Sequence, residues 1–377
     1  MPLMFSRNYP HPPGQPELLS VPERVAAPVT YTGRGVVMAF VDSGFYPHPD
    51  IAGRIRAYVD ATTRLVRERD LAPEPSNMGW HGQMTSVIAA GDGRTSGGRY
   101  RGIACNAELV LIKVSNHKLQ IKEADILRGL KWLVKHAHRY NVRVVNVSVG
   151  GDFPSDDPKH PLHVAIRALT RSGVCVLVSA GNSGAATLLP PATAAEAITV
   201  GGYDDHNSLD VADWTGFNNS YGMAYDGAPK PDVVATAAWL PSPIMPGTDM
   251  AREAPWLHQM LALKARDVRG FQRLARQGDA ELYFSKVLAD HPEAILKDIA
   301  QERIHAHKIV DGAHQHVDGT SVSVAVASSV VAQLLEAHPR LTPREVKERL
   351  MATALRLPNV PVERQGAGVI NATAAIG

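Results

Sequence analysis

Gly35-Val-Val-Met-Ala-Phe-Val-Asp42-Ser-Gly44 is a continuous apolar run that stops at Asp-Ser-Gly. Because it does not alternate apolar and polar residues, it reads as a strand buried on both faces, and such strands belong to parallel sheets. A carboxylate at the carboxyl end of such a strand lies where open α/β sheets place their sites. Further strands are expected at 109–114, 142–148 and 174–178, and shorter ones at 197–200 and 232–235. Helices are expected at 122–140 and 163–172, the first with Leu127, Leu130, Val134 and Ala137 on one stripe. This strand–helix alternation with short loops predicts an α/β fold, a three-layer α/β/α arrangement with a mostly parallel central sheet and right-handed crossovers.

Composition narrows the function. The chain has 377 residues, 45% of them hydrophobic, and a net charge of +2 from 39 basic and 37 acidic side chains. That balance gives no electrostatic case for nucleic acid or an anionic membrane as partner. No apolar run approaching membrane-spanning length is expected. The first residues lack the basic start and apolar core of a secretory signal, so cytoplasmic residence is the default expectation unless a targeting segment has been removed. Two cysteines make no disulfide framework, and Cys175 reads as a buried free thiol.

Residues 1–33 are rich in proline and are expected to form an extended arm lying on the domain rather than a domain of their own. Residues 34–377 read as one domain, interrupted at about 237–317, where the strand–helix rhythm breaks. Amphipathic helices at 252–270, 271–278 and 281–306 are expected there, as a helical insertion, because strand-to-strand loops are usually short. Thr342 followed by Pro343 marks the start of a late helix.

The chemistry lies in four scattered places. Asp318-Gly-Thr-Ser321 opens a helix of small and branched residues, which puts the Ser321 hydroxyl beside unpaired backbone N–H groups. Gly79-Trp-His81-Gly opens another short buried helix. Serine needs a base to become a nucleophile, histidine serves near neutral pH, and a buried carboxylate such as Asp42 fixes the imidazole tautomer. Asn182, following Ser179-Ala-Gly, offers a short amide donor for an oxyanion, with the Ser321 N–H as the second donor. Each residue alone also fits an ordinary core or turn; the chemistry needs all four together.

In this order the four motifs resemble those of the subtilases, the subtilisin-like serine peptidases. Asp42-Ser-Gly is similar to the family's aspartate motif, His81-Gly to its histidine motif, Ser179-Ala-Gly-Asn182-Ser-Gly to its oxyanion motif and Gly319-Thr-Ser321 to its serine motif. Gly102-Ile-Ala, Val145-Asn-Val-Ser-Val-Gly-Gly151, Pro229-Lys-Pro-Asp-Val-Val-Ala235 and Gln365-Gly-Ala-Gly-Val-Ile-Asn371 add to the likeness, which covers about 34–236 and 318–377. The resemblance implies a subtilisin-like fold and a serine endopeptidase using an Asp42, His81 and Ser321 triad, with Asn182 in the oxyanion hole. It implies that Ser148, Val149 and Gly150 pair with an extended substrate as an added strand, and that Ala180 and Gly181 line the pocket before the scissile bond. Protein or peptide is the expected substrate, with no cofactor. The arm is expected to block the cleft until trimmed, and the insertion to cap the site or dock a partner.

Departures from the family pattern are Gln83 and Met84 after His-Gly, Cys105 in place of a common proline, and Ala325 where proline usually follows Gly-Thr-Ser. The loss at Ala325 motivates an alternative, acyl transfer to an amine. A catalytically silent subtilase fold used for binding is the other. The segment 91–102, where many relatives carry a calcium loop, holds one carboxylate among three arginines, so no metal is expected there, and Asp50 finds no evident second ligand. His305, His307, His314 and His316 lack the partners of a zinc set and read as a solvated or cleft-lining group.

Overall fold

All six residues of strand β1 (Val37–Asp42) are buried, which is what a strand with sheet neighbours on both sides and helices on both faces requires. The computed structural model describes residues 18–68, 78–263, 267, 269–270, 273–274 and 293–377. The first 17 residues of the expected arm, and most of the helices expected over 271–292, lie outside the described residues. The described residues divide into two compact units, Leu19–Leu240 with Asp318–Gly377, and Pro241–Val317.

The larger unit holds the main sheet. Its strands are β1, β2 (Ile55–Asp60), β3 (Leu65–Arg67), β4 (Glu108–Lys113), β5 (Val142–Val147), β6 (Cys175–Ser179), β7 (Ile198–Asp204), β8 (Thr215–Gly216) and, after the short pair β9 (Gly222–Met223) and β10 (Pro229–Lys230), β11 (Val233–Thr236). The order is β11-β7-β6-β5-β1-β4-β2-β3, with β8 beside β7. Pairing is parallel throughout the centre and antiparallel only for β2 with β3 and β7 with β8. The pair β2–β3 was not expected from sequence. β2 buries only alternate residues, Ala57 and Val59 between Arg56, Tyr58 and Asp60, so it lacks the apolar run that marks the inner strands.

Alternation decides which layer each side chain of β1 enters. Val37, Ala39 and Val41 share a buried cluster with Ile126, Leu130 and Leu133 of α3 (Glu123–His136) and Leu162, Ile166 and Leu169 of α4 (Pro161–Arg171). Met38, Phe40 and Asp42 therefore turn to the opposite face, where α2 (Gly79–Ala90) packs against the helix Thr320–Ala337. The architecture is the three-layer α/β/α arrangement with a mostly parallel sheet.

That last helix corrects one expectation. By length and composition it is apolar enough to cross a membrane, at 18 residues and mean hydropathy 1.4, yet 83% of it is buried inside the protein, so it serves as a core helix. Cys175 is fully buried, and burial pushes its thiol up to about 12, which leaves it inert.

Residues 19–33 are not simply extended. They include α1 (Val21–Arg24), and Arg24 is buried. Its guanidinium donates to both Asp205 carboxylate oxygens, to Asn207 Oδ1 at 2.7 Å and to the carbonyls of Trp239 and Leu19. All the N–H directions of the fork are thus used.

The smaller unit contains β12 (Leu240–Pro243) beside β13 (His314–Val317), with α5 (Asp249–Ala262) and α6 (Glu293–Ala306). Thr248 caps α5 by accepting from Ala251 N at 3.2 Å, so this helix starts earlier than the expected residue 252. Ala254, Trp256, Leu257, Met260, Ala300 and Ile304 form its core. His314 and His316 are buried on β13, not solvated, because the strand turns both inward; His314 Nδ1 lies 2.8 Å from the Asp311 carboxylate. His305 is exposed as expected.

In the larger unit α7 is Thr320–Ala337 and α8 is Pro343–Ala352, followed by α9 (Val362–Gln365) and α10 (Ala372–Ile376). Thr342 caps α8 reciprocally with Glu345, its N–H reaching Glu345 Oε2 at 2.8 Å.

Arg24→Met strips a buried carboxylate of its guanidinium and is expected to cost about 3–5 kcal/mol in urea unfolding; a loss below about 1 kcal/mol would contradict that account of the Arg24–Asp205 pair.

Candidate active site

Asp42 ends β1 on the face covered by α2, and its side chain is wholly buried. Its Oδ1 accepts from Ser43 N at 2.6 Å and lies 2.6 Å from His81 Nδ1. Its Oδ2 accepts from Thr85 Oγ1 at 2.8 Å. His81 and Thr85 are one helical turn apart, so α2 presents both to a single carboxylate. The close seating of α2 on the Asp42-Ser-Gly loop explains the glycine after His81. A Cβ at Gly82 would stand 2.0 Å from Gly44 O and 2.7 Å from the Phe45 ring.

The contact sets the charge state of the imidazole. Burial pulls the His81 pKa down, but the Asp42 charge and hydrogen bond outweigh it and hold the imidazole above its ordinary value. With Nδ1 committed to Asp42, Nε2 is the free face of the ring. Trp80, partly exposed, stands edge-on to that ring with centroids 5.3 Å apart.

Ser321 is the second residue of α7 and is partly exposed. Gly319 before it has φ +132, a conformation that L side chains rarely adopt, and its N–H is anchored on Ala237 O at 2.7 Å. Asn182 follows β6. Its Oδ1 accepts from Thr320 N at 2.9 Å and Thr320 Oγ1 at 3.0 Å. A backbone N–H demands an acceptor, which fixes the amide orientation and leaves Nδ2 as the outward donor beside the start of α7. Thr320 Oγ1 also accepts from Gly181 N at 3.1 Å, tying the Ala180-Gly181 turn to the same helix start.

The strand-end residues 148–150 sit beside this corner. Ser148 Oγ accepts from Asn146 Nδ2 at 2.8 Å and reaches Ser321 O at 3.5 Å, while Asn146 Oδ1 accepts from Ser328 Oγ on α7. Among the described residues, the backbone groups of Val149 and Gly150 make no hydrogen bond inside the protein. Ala180 continues β6 by donating to Val200 O at 2.9 Å.

The structure thus joins Asp42 to His81, and Asn182, Gly181 and Ser148 to the start of α7. It does not join the serine to the imidazole: among the described residues Ser321 Oγ makes no hydrogen bond within 3.5 Å. Nucleophile–base contacts in free enzymes are often long and tighten on binding. Asp50, considered as a metal ligand, instead accepts from Thr95 N and Thr95 Oγ1 and holds the 91–102 loop. Thr85, Thr320 and Asn146 were not singled out from sequence. The signal for Thr85 was its i+4 spacing from His81, and a hydroxyl in a small-residue helix gave no other.

The pattern of the subtilase family matches residues 33–368. The chain belongs to the subtilase family. It is similar to the serine protease AprX of Bacillus subtilis, 29% identical over 91% of this chain and 66% of that protein, and to subtilisin Savinase of Lederbergia lenta, 31% identical over 49% of this chain and 63% of that one. The chain thus spans less than about two-thirds of these relatives. In fold, this subtilase is similar to the protease domain of PatA, solved as a serine-to-alanine mutant, with TM-score 0.59, 18% identity and coverage of 92% and 96% of the two chains. The prenylagaramide maturation protease PagA gives 0.59, 17%, 95% and 98%. At these identities the likeness shows the fold alone.

In this subtilase the His81 imidazole, followed by NMR, is expected to titrate above about 6.5. In Asp42→Asn it should fall below that value, since burial then acts with the charge removed; a midpoint unmoved by the substitution would break the link.

Proposed function

We propose that the protein is a serine endopeptidase. Ser321 attacks the scissile carbonyl while His81 Nε2 takes its proton and later returns it to the leaving amine. Asp42 holds the tautomer through Nδ1 and stabilises the imidazolium. The oxyanion would be held by Asn182 Nδ2 and the Ser321 N–H, which lies in the first turn of α7, where a helix has no acceptor of its own. The unpaired backbone of Val149 and Gly150 suits an extended substrate added as a strand, with the Ala180-Gly181 turn as pocket wall. The observation that carries this reading is the 2.6 Å contact of His81 Nδ1 with the buried Asp42 carboxylate. Family membership supports it independently.

The pH dependence follows from the sign of the histidine shift. The base works as neutral imidazole, so turnover falls as pH drops through a pKa held above the ordinary value.

A fluorophosphonate probe is expected to label Ser321 in the wild type and to leave Ser321→Ala unlabelled. Asn182→Ala should lower peptide turnover about 10²–10³-fold, the range the loss of this amide produces in subtilisin. Folded wild-type protein that never labels would favour a silent binding fold, and peptide joined to an added amine in the products would favour acyl transfer.

A further inference from the structure

We propose that Thr85 is a positioning residue for this reaction, its hydroxyl holding the Asp42 carboxylate in the orientation that aims Oδ1 at His81. The proposal rests on the peptidase reading.

A carboxylate offers two oxygens, and in Asp42 they are divided. Oδ1 serves Ser43 N and His81 Nδ1, both at 2.6 Å, whereas Oδ2 has Thr85 Oγ1 at 2.8 Å as its donor among the described residues. Asp42 and Thr85 are both fully buried, so no water replaces that donor. The hydroxyl has a choice of acceptor, since Gly82 O lies at 3.2 Å on its own helix, but the shorter and charge-assisted contact is to Asp42. Two consequences follow. Rotation about the Asp42 Cβ–Cγ bond would break the Thr85 contact, so the Nδ1–H···Oδ1 geometry is locked from the far side. The Thr85 donor, on Oδ2, also leaves Oδ1 to the Ser43 N–H and the imidazole. Spacing strengthens the inference: residues i and i+4 of α2 grip both oxygens of one side chain.

The test crosses shape against hydroxyl. Thr85→Val keeps the shape and loses the donor, while Thr85→Ser keeps the donor and loses a methyl group. Without the Thr85 donor the carboxylate can turn Oδ1 away from Nδ1, and the contact that holds the imidazole above its ordinary value weakens. Thr85→Val is therefore expected to lower the His81 NMR titration midpoint by about half a unit or more. It should also slow fluorophosphonate labelling at Ser321 about tenfold, the loss of one hydrogen bond to a charged group. Thr85→Ser should match the wild type in both. In an Asp42→Asn background, Thr85→Val should leave the His81 midpoint unchanged. If Thr85→Val does not fold, Thr85→Ala carries the same expectations.

A Thr85→Val protein that titrates and labels like the wild type, or a Thr85→Ser protein as impaired as Thr85→Val, would reduce Thr85 to packing and overturn the proposal. Because the NMR measurement needs no activity, a wild type that never labels defeats the peptidase reading, while the midpoint still decides whether Thr85 acts on the Asp42–His81 pair.

Discussion

A fully buried carboxylate must be matched by donors, and the larger unit is arranged around the match made for Asp42. β1 has to be a central strand so that its last residue is dry. It must also end on the α2 face, because the odd-numbered residues of the strand fill the α3 and α4 layer. α2 has to approach closely enough for a histidine ring and a hydroxyl to reach two oxygens, which leaves no room for a side chain at Gly82. Strand register, helix seating and the glycine of the His-Gly motif are thus consequences of one polar contact.

A second constraint works at the start of α7. The Asn182 amide is turned by the Thr320 N–H, the Gly181 N–H by the Thr320 hydroxyl, and Ser148 by Asn146, whose own side chain is held by Ser328. Buried polar networks of this kind are favourable only when every member is satisfied. Satisfying this one brings the end of β6 to Thr320, which precedes the candidate nucleophile, and the end of β5 to the Ser321 carbonyl.

Most of the central sheet was legible in the sequence because its strands are buried on both faces and announce themselves as unbroken apolar runs. β2 and β3 were not, since a strand covered on one side interleaves residues such as Arg56 and Tyr58 that read as loop. The four candidate motifs could be located because Asp, His, Asn and Ser sit at strand ends or helix starts. Thr85 and Asn146 could not, because their significance comes from what they touch: inside a buried helix or strand a hydroxyl or amide looks the same whether it fills space or holds a reacting group. The histidines at 314 and 316 misled in the opposite direction. A polar His-Gln-His run suggests solvent, but it forms β13 with His314 drawn inward by Asp311.

Peptidase chemistry on this chain would require His81 and Asn182 to converge on the Ser321 hydroxyl. A high-resolution crystal structure of the protein carrying a fluorophosphonate adduct tests it most directly. The expected result is a phosphoryl group on Ser321 Oγ, with one oxygen within about 3 Å of Asn182 Nδ2 and the Ser321 N–H, and His81 Nε2 within hydrogen-bond reach of the adduct. An adduct whose oxygens point away from Asn182, or an imidazole lying beyond reach of Ser321, would contradict it.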